Sequence, residues 1–198
     1  MTLEGKTVLQ NKNFKESYTM TIYLDVKKAV EYASAWATWN NPKYIAVEGN
    51  DCTNFVSQCW HEAGIPLSPH WSNDLSTSIY TPAWTEVGTF HYYMTTSAPD
   101  LDPEIMGNFP VADEVALIET PLNDYTGIIK PADIVQCYNE SNGWHHSIII
   151  MDLVNGMPRY CAHSSFANYM DLTVQFSALA DSPNSKIRVI RARNRINA

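Results

Sequence analysis

What the sequence lacks narrows the choices first. Basic residues are scarce, 13 against 21 acidic ones, for a net charge of -8. Nucleic acids and anionic membranes are bound through basic surfaces, so neither is an expected partner. No apolar run approaches the roughly 20 residues needed to cross a bilayer, so no membrane span is expected. The opening "MTLEGKTVLQNKNFKESYTM" is polar and lacks the apolar core of a signal peptide. No export address is therefore expected in this chain; a cell-envelope or secreted setting requires a leader supplied from outside it. The four cysteines, Cys52, Cys59, Cys137 and Cys161, form no CxxC pair. A zinc ribbon, a thioredoxin-type site and a disulfide scaffold are thus not indicated, and neither a metal nor a cofactor is expected. Internal repeats and low-complexity tracts are also missing.

What is there is an ordinary globular composition. Apolar residues make up 45% and charged residues 17% of 198 residues, enough for one domain with a real core. Asp25 caps a helix in "DVKKAVEYASAWATWN", where Val26, Ala29, Val30, Ala33, Trp36 and Ala37 form one apolar stripe. Asn40, Asn41 and Pro42 end it. A second helix begins in "GNDCTNFVSQCW". Asp51 takes its N-cap, Cys52, Phe55, Val56 and Cys59 share a face, and Gly64 with Pro66 closes it.

Residues 67–130 read as an irregular connection rich in aromatics, Pro, Ser and Thr, of the kind that lines a binding cleft or forms a lid. Only "AWTEVGTFHYYM" suggests a short helix. Trp71, Tyr80 and Trp84 are the aromatics expected to line a substrate cleft; the competing reading lets Trp84 and Phe90 cover the core. Acids gather toward its far end: Asp100, Asp102, Glu104, Asp113, Glu114, Glu119 and Asp124. Four strands follow, "DIVQCY", "HSIIIMDLV", "RYCAHSS" and "KIRVIRAR". The last carries Lys186, Arg188, Arg191 and Arg193, with Arg195 beyond it, and reads as a strand with a solvated basic face or as a basic binding patch. Helices followed by adjacent strands predict an α+β fold with a mainly antiparallel sheet.

The chemistry centres on Cys52. A thiolate attacks a carbonyl and a thiol does not. A helix N-terminus favours negative charge, and its free N–H groups suit an oxyanion, which makes Asp51 and Thr53 the cap and oxyanion region. Position alone leaves two readings, a reactive cysteine or a buried structural one. The histidines available as a base are His61, His70, His91, His145, His146 and His163. Alternation along a strand puts His146 with Ile148 and Ile150, and His145 with Ser147, Ile149 and Met151. Ile148 and Ile150 are expected to pack on the second helix, but polarity does not choose between the two.

"AVEYASAWATWNNPKYIAVEGNDCTNFVSQCWHEAGIP" resembles the Putative amidase domain family of papain-like, NlpC/P60-related cysteine hydrolases. "KPADIVQCY", "WHHSIIIM" and "RYCAHSS" are similar to its sheet, and the likeness runs over about residues 20–192 of a single domain, 1–198. Ala132 stands where the family commonly has glycine. The resemblance implies an α+β, papain-like (NlpC/P60-type) domain that cleaves an amide bond through an acyl-thioester on Cys52. It implies His146 as base and His163 as the residue orienting it, with Asn168 and Asp133 in reserve. The implied substrate is a peptide or a peptidoglycan-stem-like molecule. A thiol acyltransferase (transglutaminase-like) with the same triad and a non-catalytic binding domain are the alternatives. A metal site built on His145, His146 and a carboxylate is disfavoured, because adjacent strand residues point apart.

Overall fold

The computed structural model describes residues 22–96, 109–164, 166–174 and 184–197. Asp100, Asp102 and Glu104 lie outside them. The main sheet has six strands in the order β4–β9–β5–β6–β7–β8: β4 Ala112–Ile118, β5 Ile134–Asn139, β6 Gly143–Val154, β7 Met157–Ala162, β8 Ala167–Asp171 and β9 Lys186–Ala192. Every neighbouring pair in it is antiparallel, as the run of short β-branched segments predicts. Two-residue strands β1 (Leu24–Asp25) and β10 (Arg195–Ile196) pair in parallel, and β2 (Asn73–Asp74) pairs with β3 (Ile79–Tyr80).

Helices α1 (Val26–Trp36), α2 (Cys52–Glu62), α3 (Pro82–Thr85) and α4 (Val87–Thr95) accompany the sheet. Asp25 caps α1 as expected, its carboxylate accepting from the Lys28 N–H. The helix stops at Trp36, before the Asn-Asn-Pro signal. Gly64 ends α2 at φ +112°, donating to the His61 carbonyl; a Cβ there would stand 2.7 Å from the Tyr23 carbonyl oxygen, so only glycine fits. "AWTEVGTFHYYM" is two helices rather than one, because Glu86 is extended between them.

The connection 67–130 is more ordered than its composition suggests. Besides α3 and α4 it holds β4, the edge strand paired to β9. Two of its acids are structural: Asp113 pairs with Arg193, and Glu114 with His91. The expected solvated basic face is likewise corrected. Arg191 and Arg195 both hold the buried Asp133 carboxylate, and Arg188 is itself buried.

Each face of the sheet has its own core. Ile134, Ile149, Met151, Cys161 and Ile190 pack with Phe55, Val56, Cys59 and Trp60 of α2. Val135, Cys137, Ile148, Ile150, Tyr160 and Val189 pack on the opposite face with Tyr125 and Ile129. The expectation that Ile148 and Ile150 lie against α2 is overturned. Ser147, Ile149 and Met151 take that side, since the alternating residues of one strand serve opposite faces.

Candidate active site

Helix α2 is buried from Cys52 through Trp60 without a break. A helix inside a protein must satisfy its polar side chains internally, and those of "DCTNFVSQ" all have partners. Asn54 Oδ1 accepts from the Trp84 indole N–H (2.6 Å) and from Asn73, while its amide donates to the Ile45 carbonyl and to Asp51. Ser57 donates to the Trp84 carbonyl and accepts from the Trp71 indole. Gln58 accepts from the Tyr32 hydroxyl. Trp71 and Trp84 are therefore core residues, fully buried and in ring contact at 4.6 Å. Their expected place on the wall of a cleft is corrected, because α2 offers their N–H groups buried acceptors. Tyr80 is exposed, on the β2–β3 hairpin.

Asp51 sits at the N-cap through its backbone, its carbonyl accepting from Phe55 N–H. Its carboxylate caps nothing in the helix. Oδ1 accepts from Val47 N–H and from Asn54, and Oδ2 meets His163 Nδ1 at 2.5 Å. The His163 ring stacks on Phe55 with centroids 4.0 Å apart, and its Nε2 donates to the Trp36 carbonyl at 2.7 Å. Both nitrogens of His163 are thus engaged, and neither meets His146. The expected orienting role is replaced by another: His163 ties the residue before the nucleophile to the end of α1. The reserves are also spent. Asn168 accepts from the Cys161 thiol, and Asp133 holds two arginines.

Cys52 is 1% exposed. Its thiol donates to Asn50 Oδ1 at 3.7 Å and lies 3.8 Å from the Thr53 hydroxyl. Burial pushes the thiol up; the Ser147 and Thr53 backbone N–H groups and the Thr53 hydroxyl act in the other direction, and the Asp51 charge adds to the rise. Four hydrogen-bonding groups therefore surround one sulfur at the first turn of a helix. Its chain neighbours Asn50 and Asp51, with Asn40, Val47, Glu48 and Phe166, border a cleft of about 470 Å³ that Cys52 itself does not line.

His146 directly precedes Ser147. Cross-strand register sets it opposite Cys137, the side of the sheet away from α2. His145 is an extra residue there, for Cys137 faces His146 while Tyr138 faces Trp144. This bulge breaks the alternation on which the sequence argument relied. Burial, helped by the charge of His145, pushes His146 down to about 4, so its ring is neutral at physiological pH. Its ring nitrogens bond no described residue, whereas His145 Nδ1 is held by the Gly143 carbonyl. His61 bonds the Ile65 carbonyl and His91 bonds Glu114. Among the described residues no group of three His, Cys, Asp or Glu side chains is placed to hold a metal ion, and no helix is long and apolar enough to cross a membrane.

A family model described as "Putative amidase domain" matches residues 23–190. Two uncharacterized proteins of Bacillus subtilis (strain 168) are similar over part of their length. YhbB is 30% identical over 105 residues, covering 50% of this chain and 33% of YhbB. YjcM is 32% identical over 97 residues, covering 46% of this chain and 22% of YjcM. The similarity thus spans a third or less of either relative. No solved structure matches.

Proposed function

The chain belongs to the Putative amidase domain family, and from that premise we propose that it hydrolyses an amide bond through an acyl-thioester on Cys52. The family carries the coarse activity, amide hydrolysis. The finer reading rests on one observation: a cysteine at the first turn of a helix buried from Cys52 through Trp60, with the Thr53 hydroxyl 3.8 Å from its sulfur and the Ser147 and Thr53 N–H groups favouring its thiolate. A structural cysteine asks for apolar neighbours, not for donors. The arrangement parallels papain-like hydrolases, in which the nucleophile opens a helix packed on an antiparallel sheet.

The resting thiol and the His146 imidazole are both neutral, so attack requires transfer of the thiol proton as substrate binds. The family's H-S pairing makes His146 the proposed base; its register opposite Cys137 turns it from the α2 face, so the bulge at His145 has to bring one of the two rings round to the sulfur. His146 is unprotonated at neutral pH, its ring nitrogens bond no described residue, and it directly precedes Ser147, whose hydroxyl bonds Thr53 beside the sulfur. The bulge at His145 is the local feature that re-aims one of two adjacent side chains. Thiolate attack on the carbonyl carbon expels the amine, and water then releases the acid. The cleft offers side-chain amides, one free carboxylate at Glu48 and the Phe166 ring, which suits a peptide or a peptidoglycan-derived stem peptide.

The test is amide hydrolysis on a panel of such peptides, with mass spectrometry for an adduct on Cys52. Cys52→Ala is expected to abolish turnover. His146→Ala should lower kcat by about 100-fold or more, the usual contribution of a positioned base, with His145→Ala close to the unaltered chain. Full turnover in Cys52→Ala discards the mechanism. The reverse order for the two histidines moves the base to His145. Amide exchange with added amines in preference to hydrolysis would make the enzyme a transferase.

A further inference from the structure

Behind the nucleophile lies a buried polar chain that packing does not require. Arg188 is only 6% exposed, yet among the described residues no carboxylate forms an ion pair with it. Its guanidinium rests 4.0 Å above the Trp144 ring, its Nε donates to Gln136 Oε1 at 2.8 Å, and its Nη2 has no partner. Burial pushes its guanidinium down to about 10, opposed by the charge of Glu114. The Gln136 amide has one possible orientation. Its Nε2 faces the Val87 carbonyl at 2.9 Å, which only accepts, and its Oε1 faces Arg188, which only donates. The second Nε2 hydrogen goes to Ser147 Oγ at 3.2 Å.

The direction then propagates. Ser147 is fully buried, and with Gln136 donating to it, its own hydrogen has Thr53 Oγ1 as partner, at 2.9 Å. Thr53, equally buried, accepts that bond and turns its hydrogen to the Cys52 sulfur at 3.8 Å. Every link donates toward the sulfur, and the origin is a cation. The thiol's own hydrogen points the other way, to Asn50.

We propose that Arg188, Gln136 and Ser147 are positioning residues of a one-way hydrogen-bond relay that polarises the Thr53 hydroxyl and stabilises the Cys52 thiolate. Of the side chains in the relay, Thr53 alone touches the sulfur. Chains of hydrogen bonds strengthen one another in a low-dielectric interior, so a charge at one end is felt at the other. The relay offsets the two effects that disfavour the thiolate, burial and the neighbouring Asp51 charge. The charged and titratable groups facing it are Asp51 at the sulfur end, with Glu114 of β4 and His91 of α4 at the guanidinium end. The proposal deepens the reading of Cys52 as nucleophile, but its measurement does not depend on turnover.

The experiment is the pH profile of Cys52 alkylation by iodoacetamide in the full chain, resolved by peptide mass mapping. Thr53→Val should raise the midpoint by about one unit, the worth of one hydrogen bond to an anion, and Thr53→Ser should restore it. Arg188→Gln and Ser147→Ala should each raise it by about half a unit, and add little on the Thr53→Val background, since the last link is already cut. Unmoved midpoints in folded Arg188→Gln and Ser147→Ala, checked by circular dichroism, overturn the relay. So do shifts that persist in full without the Thr53 hydroxyl. If Arg188→Gln does not fold, the Ser147→Ala and Thr53→Val cycle decides alone. Hydrolysis that survives Cys52→Ala would discard the mechanism while leaving the thiol measurement to stand or fall by itself.

Discussion

At the scale of the residue, the site shows how neighbours in sequence acquire opposite duties. Asp51, Cys52 and Thr53 are consecutive, yet Asp51 is bound to His163, Cys52 meets Asn50 and Thr53 joins Ser147. Ala132 shows the cost of an L side chain in a left-handed turn. It adopts φ +62° where glycine is usual, in a turn whose N–H donates to the Ile150 carbonyl and whose carbonyl accepts from Trp60. His146 carries the clearest pH signature. Its folded-state value of about 4 lies below the ordinary 6.5. As pH falls from 6.5 toward 4 the unfolded chain takes up a proton that the folded chain refuses, so stability is lost across that window. The loss is on the order of 3 kcal/mol and is complete once the folded form protonates too. Urea titrations at steps of pH should show this slope, and His146→Gln should flatten it.

At the scale of the element, α2 departs furthest from its sequence reading. The i, i+3, i+4 spacing of Cys52, Phe55, Val56 and Cys59 predicts one buried face. From Cys52 through Trp60 the helix is instead buried all round, because Trp71, Asn73 of β2 and Trp84 of α3 close over its polar side. Asn54 is the centre of that closure. Asn54→Ala leaves the Trp84 N–H, the Asn73 amide and the Ile45 carbonyl without one of their partners. A loss of about 2–4 kcal/mol in urea unfolding is expected, from buried groups left unsatisfied. A loss under half of that would mean that the loops re-form their bonds elsewhere. The strands divide similarly. β5, β6, β7 and β9 announce themselves as β-branched runs, whereas β4 hides among acids that are solvated in sequence terms and paired in space. The bulge in β6 leaves no mark in "WHHSIIIM", since it arises from register with β5.

At the scale of the whole molecule, the last strands lock the sheet to the turn that precedes β5. Asp133 is fully buried and accepts from Arg191 and Arg195, which stand on β9 and β10. β10 in turn pairs with β1, which leads into α1, so one carboxylate links the C-terminal strands to the helical layer. Asp133→Ala would leave two cations facing a buried void. The expected loss is about 3–5 kcal/mol, visible as a lower urea midpoint with a similar slope. Asp133→Asn should retain part of it through hydrogen bonding. A loss below about 1 kcal/mol in Asp133→Ala would show that these arginines are satisfied by solvent.

The sequence by itself determined the fold class, the two principal helices, four of the six main strands and the position of Cys52 at a helix start. These follow from period, capping and turn chemistry, which are local. It also carried the family, through the run "DCTNFVSQ". Only the tertiary structure decided which face of β6 meets α2, that Trp71 and Trp84 belong to the core, that His163 binds Asp51, and that a buried arginine communicates with the sulfur through Gln136, Ser147 and Thr53. The physical reason is the same in each case. A buried polar group takes whichever partner the packed chain brings within hydrogen-bond reach, and in these cases that partner is 11 to 112 residues away in sequence.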